Sequence, residues 1–343
     1  MMRLPLFEFR APRTLEEAAR ILDGEGVSAM ALAGGTDLLP NMKRRQQVPK
    51  TLMSLRGIAE LRGVRIDRAG SARLGACTTL ADLAADARFR NGLTALAQAA
   101  SLVATPQIRN MATLGGNLCL DTRCNYYDQN YEWRKAIDFC LKKDGDTCWV
   151  APGSSKCMAV SSTDTAPALI ALGARVRLVS RAGEREVLLA DLYNNDGLDY
   201  IKRRPDEILT EILLHASHGW KSTYWKLRRR GSFDFPVLSV AAAARIAESG
   251  VVEEARIVIG SAASRPLVAV EAAKSLAGCA LNAESIAEAA VLAARIAKPL
   301  DNTDFDMSWR KKVAGEFVTR ALRELRGDDV RGERESFMRA GSL

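Results

Sequence analysis

The sequence predicts a mixed α+β protein of two domains that meet near residue 217. Three observations carry this expectation. Helical and strand-like hydrophobic periods alternate from the first residues onward. A composition shift falls at 217–219. The 343 residues also exceed a single domain of ~100–200 residues. The expected division is a larger domain over 1–217, a smaller α+β domain over 218–327, and a polar tail over 328–343.

The elements follow in order. Thr14-Leu-Glu-Glu17 is a capping-box pattern, and Leu15, Ala18, Ala19 and Leu22 continue it at helical spacing. Residues 28–33 read as a buried strand that ends at Gly34-Gly35. Residues 51–55 and 72–75 read as short strands. Thr79-Leu-Ala-Asp82 caps a further helix, and 92–103 is a strongly apolar one. After a polar stretch, 165–172 reads as a helix, with strands at 174–180, 186–189 and 207–214. Beyond 219 come strands within 235–246 and 255–261, then helices at 283–297 and 309–325. In the last of these, Val313, Phe317, Ala321, Leu322 and Leu325 share one face.

Composition excludes several classes of function. Apolar residues at 48 % and charged residues at 26 % are ordinary for a folded soluble protein. The net charge of +8 is diffuse and aromatics are 6 %, which argues against nucleic-acid binding. No apolar run approaches the ~18–20 residues of a membrane span. The N-terminal segment turns charged too early for a secretory signal. Seven cysteines, an odd count, fit a reducing cytoplasm better than a disulfide framework.

Two glycine pairs draw notice: Gly34-Gly35-Thr36-Asp37 and Gly115-Gly116-Asn117. Successive glycines let backbone N–H groups converge on an anion, and Thr36 and Asn117 add side-chain donors. Neither pair is a GxGxxG or GxxxxGK[ST] fingerprint. Each pair on its own also fits a simple tight turn.

Leu32-Ala-Gly-Gly-Thr-Asp-Leu-Leu39 and Gln107-Ile-Arg-Asn-Met-Ala-Thr-Leu-Gly-Gly-Asn117 together resemble the FAD-binding subunits of molybdenum hydroxylases, the xanthine dehydrogenase family. Leu74-Gly-Ala-Cys-Thr-Thr79, Thr163-Asp-Thr-Ala-Pro-Ala-Leu169 and Gly260-Ser-Ala-Ala-Ser-Arg-Pro266 extend the resemblance in family order over about 7–325. It implies a two-lobed FAD-binding domain of the vanillyl-alcohol-oxidase and molybdenum-hydroxylase type, followed by a smaller α+β domain like that of CO-dehydrogenase flavoproteins. It implies that Ala33, Gly34, Gly35, Thr36 and Asp37 wrap the FAD pyrophosphate. Thr113, Gly116 and Asn117 would make a second phosphate and ribityl contact. Asp164 would bond the adenosine portion, Ile208 and Leu209 would flank a ring, and Lys226 would lie near FAD.

Residues 121–159 interrupt this pattern. They are polar, spotted with aromatics and without sustained period, and they hold Cys124, Cys140, Cys148 and Cys157. A structureless stretch of this length inside a compact domain needs a staple other than a core. Four thiolates suit an iron–sulfur cluster or a structural zinc, and four free thiols are the remaining reading. The spacing, with 15, 7 and 8 residues between cysteines, is neither a zinc knuckle nor a ferredoxin run. Within the family the insertion resembles the β subunit of 4-hydroxybenzoyl-CoA reductases, which implies a [4Fe–4S] cluster on Cys124, Cys140, Cys148 and Cys157. Cys119 is the alternative ligand, while Cys77 and Cys279 read as small core residues. His215 and His218 read as surface residues.

The resemblance implies an electron-transfer subunit carrying FAD and a [4Fe–4S] cluster. Its partners would be a molybdenum-cofactor subunit and a [2Fe–2S] subunit in a dimer of heterotrimers. Reduced ferredoxin would be the external donor. Lys142-Lys143, Lys202-Arg-Arg204 and Arg228-Arg-Arg230 offer a surface to steer an acidic carrier, or are simply solvated. Two further readings stay open. One is a flavoprotein of another hydroxylase, oxidising a purine, aldehyde or N-heterocycle. The other is an FAD protein whose loop binds zinc as a docking module.

Overall fold

The computed structural model describes residues 3–216 and 219–339. Ser217 and His218, where the domain boundary and one histidine were expected, lie outside the described residues. Three sheets organise the chain. The first is parallel, with β1 (Glu8–Arg10) beside β3 (Thr51–Ser54) and β3 beside β2 (Ala29–Leu32). The helix α1 (Leu15–Glu25) connects β1 to β2. Thr14 caps it by accepting from the Glu17 N–H, and Ala18, Ala19 and Leu22 are its buried residues.

The second sheet is antiparallel, in the order β4 (Val64–Ile66), β5 (Ala72–Gly75), β8 (Ile208–Leu214), β6 (Arg175–Ser180), β7 (Gly183–Leu188). Its apolar face packs with α3 (Leu80–Ala85), α5 (Thr94–Leu102) and α9 (Thr165–Ala171) into one core. The third sheet is also antiparallel, in the order β12 (Leu267–Val268), β11 (Val252–Gly260), β10 (Leu238–Ile246), β9 (Trp220–Leu227). Alternation divides its side chains between two cores. Tyr224, Ala241, Ala243 and Val258 join the core of the second sheet. Trp225, Val240, Ala242 and Ile257 instead meet α10 (Val270–Leu276), α11 (Ala283–Ile296) and α12 (Met307–Arg326). The two domains therefore share a buried seam.

Most expected elements are present within a few residues. The strand β9 was not read from the sequence, because Lys221, Thr223 and Lys226 interrupt its apolar pattern. The expected polar tail is partly a helix, α13 (Arg331–Arg339). Among its described residues, Glu333 binds Arg320 and Arg323, and Arg334 binds Glu324. Cys279 is exposed instead of buried. It sits in the turn after α10, where its backbone rather than its thiol is engaged.

Residues 121–159 form an excursion closed at its neck. Arg123 and Val160 exchange two backbone hydrogen bonds, of 2.8 and 2.7 Å. Inside it lies one short helix, α8 (Tyr131–Ala136). Gly145 permits the turn after Cys140, since a Cβ there would stand 2.8 Å from the Cys140 nitrogen.

Candidate functional site: a flavin-sized cleft beside four buried cysteines

A cleft of about 570 Å³ opens between the first and second sheets, within the ordinary range for a ligand site. The strand β2 delivers 33–37 to one wall. Gly34 is packed so tightly there that a Cβ would overlap the Met111 carbonyl oxygen, and Gly35 turns at φ +74°. The glycines thus let the two walls of the cleft close on each other. Asp37 ends the turn at the start of α2 (Leu38–Lys43). Asn41 donates to its carboxylate at 3.0 Å, and Arg123 forms an ion pair with it.

The second glycine pair is helical, not a loop nest. It lies in α7 (Leu114–Leu118), where Thr113 accepts from the Gly116 N–H at 3.1 Å. Gly115 admits the Ala76 backbone and methyl, which a Cβ would meet at 2.7 Å. The Asn117 side-chain oxygen accepts from the Thr163 hydroxyl, the Thr165 N–H and the Thr165 hydroxyl. Those three bonds leave its NH₂ as the group available to a ligand.

Ala33, Gly34, Gly35, Thr36, Asp37, Thr113, Gly116, Asn117, Asp164, Ile208 and Leu209 all line this one cleft. Lys226 does not. It lies behind Asp164, donating to that carboxylate at 3.0 Å and to the Leu102 carbonyl at 3.0 Å. The Tyr224 hydroxyl donates to the other Asp164 oxygen at 2.7 Å. Burial raises the Asp164 pKa and lowers that of Lys226, in each case against the pull of the partner.

The cleft also holds residues that sequence reasoning passed over: Arg44, Asp121, Arg123, Tyr200, Arg203 and Glu207 from its polar end, and Phe233 and Phe235 at its mouth. Arg203 was read only as part of a surface basic run. The Glu207 side chain is buried. Burial pushes its pKa up, but a fork from Arg185 (2.6 and 2.9 Å) and the Arg204 N–H outweigh that, and the net shift is downward. Arg123 stacks on Phe235, 4.7 Å from the ring centroid.

Beyond the Arg123 and Asp121 wall lie the cysteines. Cys124, Cys140 and Cys157 share a small buried cluster with Tyr127 and Ala159, and Cys148, also buried, is close enough for its charge to act on Cys157. All four are free of disulfides. Burial drives the Cys124 thiol up to about 12 and the Cys157 thiol up to about 11. The Tyr127 N–H donates to the Cys124 carbonyl at 3.0 Å, and that of Ala159 donates to the Cys157 sulfur at 3.4 Å. Among the described residues, no three His, Cys, Asp or Glu side chains stand close enough together to hold a single metal ion. Cys119 and Cys77 lie on the cleft wall. Lys142, expected on the surface, is buried between the cleft and the cysteines.

Comparison with known proteins agrees with this geometry. Residues 5–214 match the family model described as FAD binding domain in molybdopterin dehydrogenase, and 222–325 match the CO dehydrogenase flavoprotein C-terminal domain. The chain is 34 % identical to the aldehyde oxidoreductase FAD-binding subunit PaoB of Escherichia coli, over 76 % of this chain and 82 % of that one. It is 30 % identical to the carbon monoxide dehydrogenase medium chain of Afipia carboxidovorans, over 92 % and 95 %. The structure of carbon monoxide dehydrogenase from Hydrogenophaga pseudoflava aligns with a TM-score of 0.76 at 28 % identity, covering 94 % of this chain and 98 % of that one. These relatives are oxidoreductase subunits. The chain belongs to the FAD-binding medium subunits of the molybdenum hydroxylase and carbon monoxide dehydrogenase family.

Proposed function

We propose that the chain is the electron-transfer subunit of a molybdenum-dependent hydroxylase and carries both FAD and a [4Fe–4S] cluster. The observation that carries this is the adjacency of the cleft to four buried, unpaired thiols.

The residues present fit FAD. Gly35 and Thr36 bring backbone N–H groups to one end, and Asn117 offers an NH₂ on the facing wall. Ile208 and Leu209 supply apolar surface for a ring, and Asp164, held by Lys226 and Tyr224, is an acceptor for a ribose hydroxyl. They also fit a cluster. The Cys124 and Cys157 thiols, driven up by burial, are poor anions alone, and metal ligation removes such protons. One N–H group, that of Ala159, already donates to the Cys157 sulfur. A zinc ion with Zn–S bonds of ~2.3 Å would hold its sulfurs within about 4 Å of one another. Among the described residues no trio of donors stands close enough for a single ion, so iron and acid-labile sulfide content separates a cluster from zinc.

Bound FAD exchanges electrons in pairs and an iron–sulfur centre passes them singly, so the pair suits a junction between two kinds of carrier. The protein positions the two sites on either side of one wall and keeps water from the thiols. On this reading the partners are a molybdenum-cofactor subunit and a [2Fe–2S] subunit, paired as a dimer of heterotrimers. The external partner is a one-electron carrier such as ferredoxin. The relatives are named for oxidation of aldehydes, carbon monoxide, nicotinate and xanthine, which supports an oxidising complex. The cysteine pattern instead favours 4-hydroxybenzoyl-CoA reductase, the second reading. The complex purified with its partners decides between them: turnover of an aldehyde or N-heterocycle supports the first, and dehydroxylation of the CoA thioester supports the second. Iron, acid-labile sulfide and flavin analysis of anaerobically purified protein tests the cofactor content. About four irons and one FAD per chain are expected, while FAD with zinc overturns the cluster.

A further inference from the structure

One buried ion pair stands between the two sites. Asp121 lies on the wall of the flavin cleft, and Lys142 lies behind it on the cysteine side. Both side chains are 5 % exposed. The three hydrogens of the Lys142 ammonium are all used: to Asp121 at 2.8 Å, to the Thr122 hydroxyl at 2.7 Å and to the Gly197 carbonyl at 2.6 Å. Two tyrosine rings sandwich it, Tyr127 at 4.9 Å and Tyr200 at 5.3 Å. Asp121 in turn accepts from the Tyr127 hydroxyl at 2.9 Å and from Gln47 at 3.2 Å. The Gly197 N–H continues the chain to the Cys157 carbonyl at 2.7 Å, and the Lys142 charge is felt at Cys157.

We propose that Asp121 and Lys142 form a fixed dipole, anion toward the flavin and cation toward the thiolates, that holds the reduction potentials of the two centres apart. The inference rests on the reading that the four cysteines hold an iron–sulfur cluster. Reducing that cluster adds one electron and hence one negative charge. A cation locked beside Cys157 in a poorly screening interior favours the added charge. Asp121 faces the cleft and opposes negative charge on the flavin. Burying this pair costs desolvation that an apolar pair would avoid.

The test uses the full chain, purified anaerobically with its cofactors and titrated potentiometrically with dithionite as reductant. Flavin is followed by absorbance and the cluster by electron paramagnetic resonance. In Lys142→Gln the cluster's reduction equilibrium should weaken about tenfold, a fall of ~59 mV for one electron. In Asp121→Asn the cation is left unopposed, so the cluster should move the opposite way and the flavin should become easier to reduce. Opposite signs in the two variants are something a merely structural role would not produce. Iron-replete variants whose midpoints match the wild type overturn the dipole and leave the cluster standing. Wild-type protein without iron overturns the cluster reading, and the dipole with it. If Lys142→Gln loses its iron, Asp121→Asn alone decides: an upward shift supports the dipole, and an unmoved or lowered midpoint overturns it.

Discussion

Arg123 and Asp37 form an ion pair that ties the neck of the cysteine excursion to the glycine turn of the flavin cleft. The same guanidinium bonds Asp128 at 3.0 Å inside the excursion and stacks on Phe235 from the C-terminal domain. One side chain thus joins the flavin wall, Asp128 within the excursion and the smaller domain. The Arg123 side chain is 9 % exposed and its two carboxylate partners are about a quarter exposed, so a broken pair costs more than one fully at the surface.

Arg123→Ala should therefore weaken FAD binding about tenfold or more, equivalent to ~1.4 kcal/mol. Arg123→Lys should fall between the two, since an ammonium cannot reproduce the fork. Flavin fluorescence titration of the apoprotein reads the change, and an unaltered affinity in Arg123→Ala would remove this residue from the account.

The glycines differ in what they tolerate. Gly34→Ala drives a Cβ into the Met111 carbonyl, a backbone atom that cannot swing away, and should cost about 3 kcal/mol with loss of flavin. Gly116→Ala meets only the Thr113 hydroxyl at 3.0 Å and should cost far less. Thermal melts of the two variants give the order, and a reversed order would contradict the packing described.

Glu207 supplies a pH signature. Its folded pKa lies below the ordinary 4.5, so its pairing stabilises the fold above that value and the contribution is lost as pH falls through the folded pKa. The melting-temperature gap between wild type and Glu207→Gln should be widest above about pH 4.5 and should close on acidification. A gap that stays constant down to pH 3 would show that Arg185 and Arg204 do not hold the carboxylate as described.

Arg310 is fully buried and donates to three backbone carbonyls, those of Val237 (3.1 Å), Leu300 (2.9 Å) and Ser261 (2.9 Å). Burial lowers its pKa to about 10. Arg310→Met leaves three acceptors without a donor and should destabilise the protein by about 3 kcal/mol, given ~1–3 kcal/mol per orphaned group with partial relaxation. Denaturant unfolding measures this, and a change under 1 kcal/mol would contradict the clamp.

The legible parts of the molecule were those governed by local chemistry. Thr14 and Thr79 cap helices because their hydroxyls satisfy N–H groups three residues on, whereas the same cap at Thr113 was hidden behind the glycine pair that follows it. The glycine motifs located both walls of the cleft because close approach of backbone demands glycine. Buried cations were not legible. Lys142, Arg123 and Arg310 reach partners far along the chain, Gly197, Asp37 and Val237 among them, and nothing local separates them from solvated bases. Lys226 stands behind Asp164 rather than on the cleft for the same reason. The helix α13 was hidden because the ion pairs of Glu333 and Arg334 join residues outside it and leave no local period. The cysteine excursion was legible as an anomaly, though its spacing alone left zinc and iron open.

The most direct test of the central claim is the iron-to-FAD ratio of anaerobically purified Cys148→Ser set beside Cys119→Ser. About four irons per FAD are expected in Cys119→Ser and in wild type, with iron lost and FAD kept in Cys148→Ser. Equal ratios in the two variants, or FAD without iron in the wild type, would contradict a cluster held by Cys124, Cys140, Cys148 and Cys157.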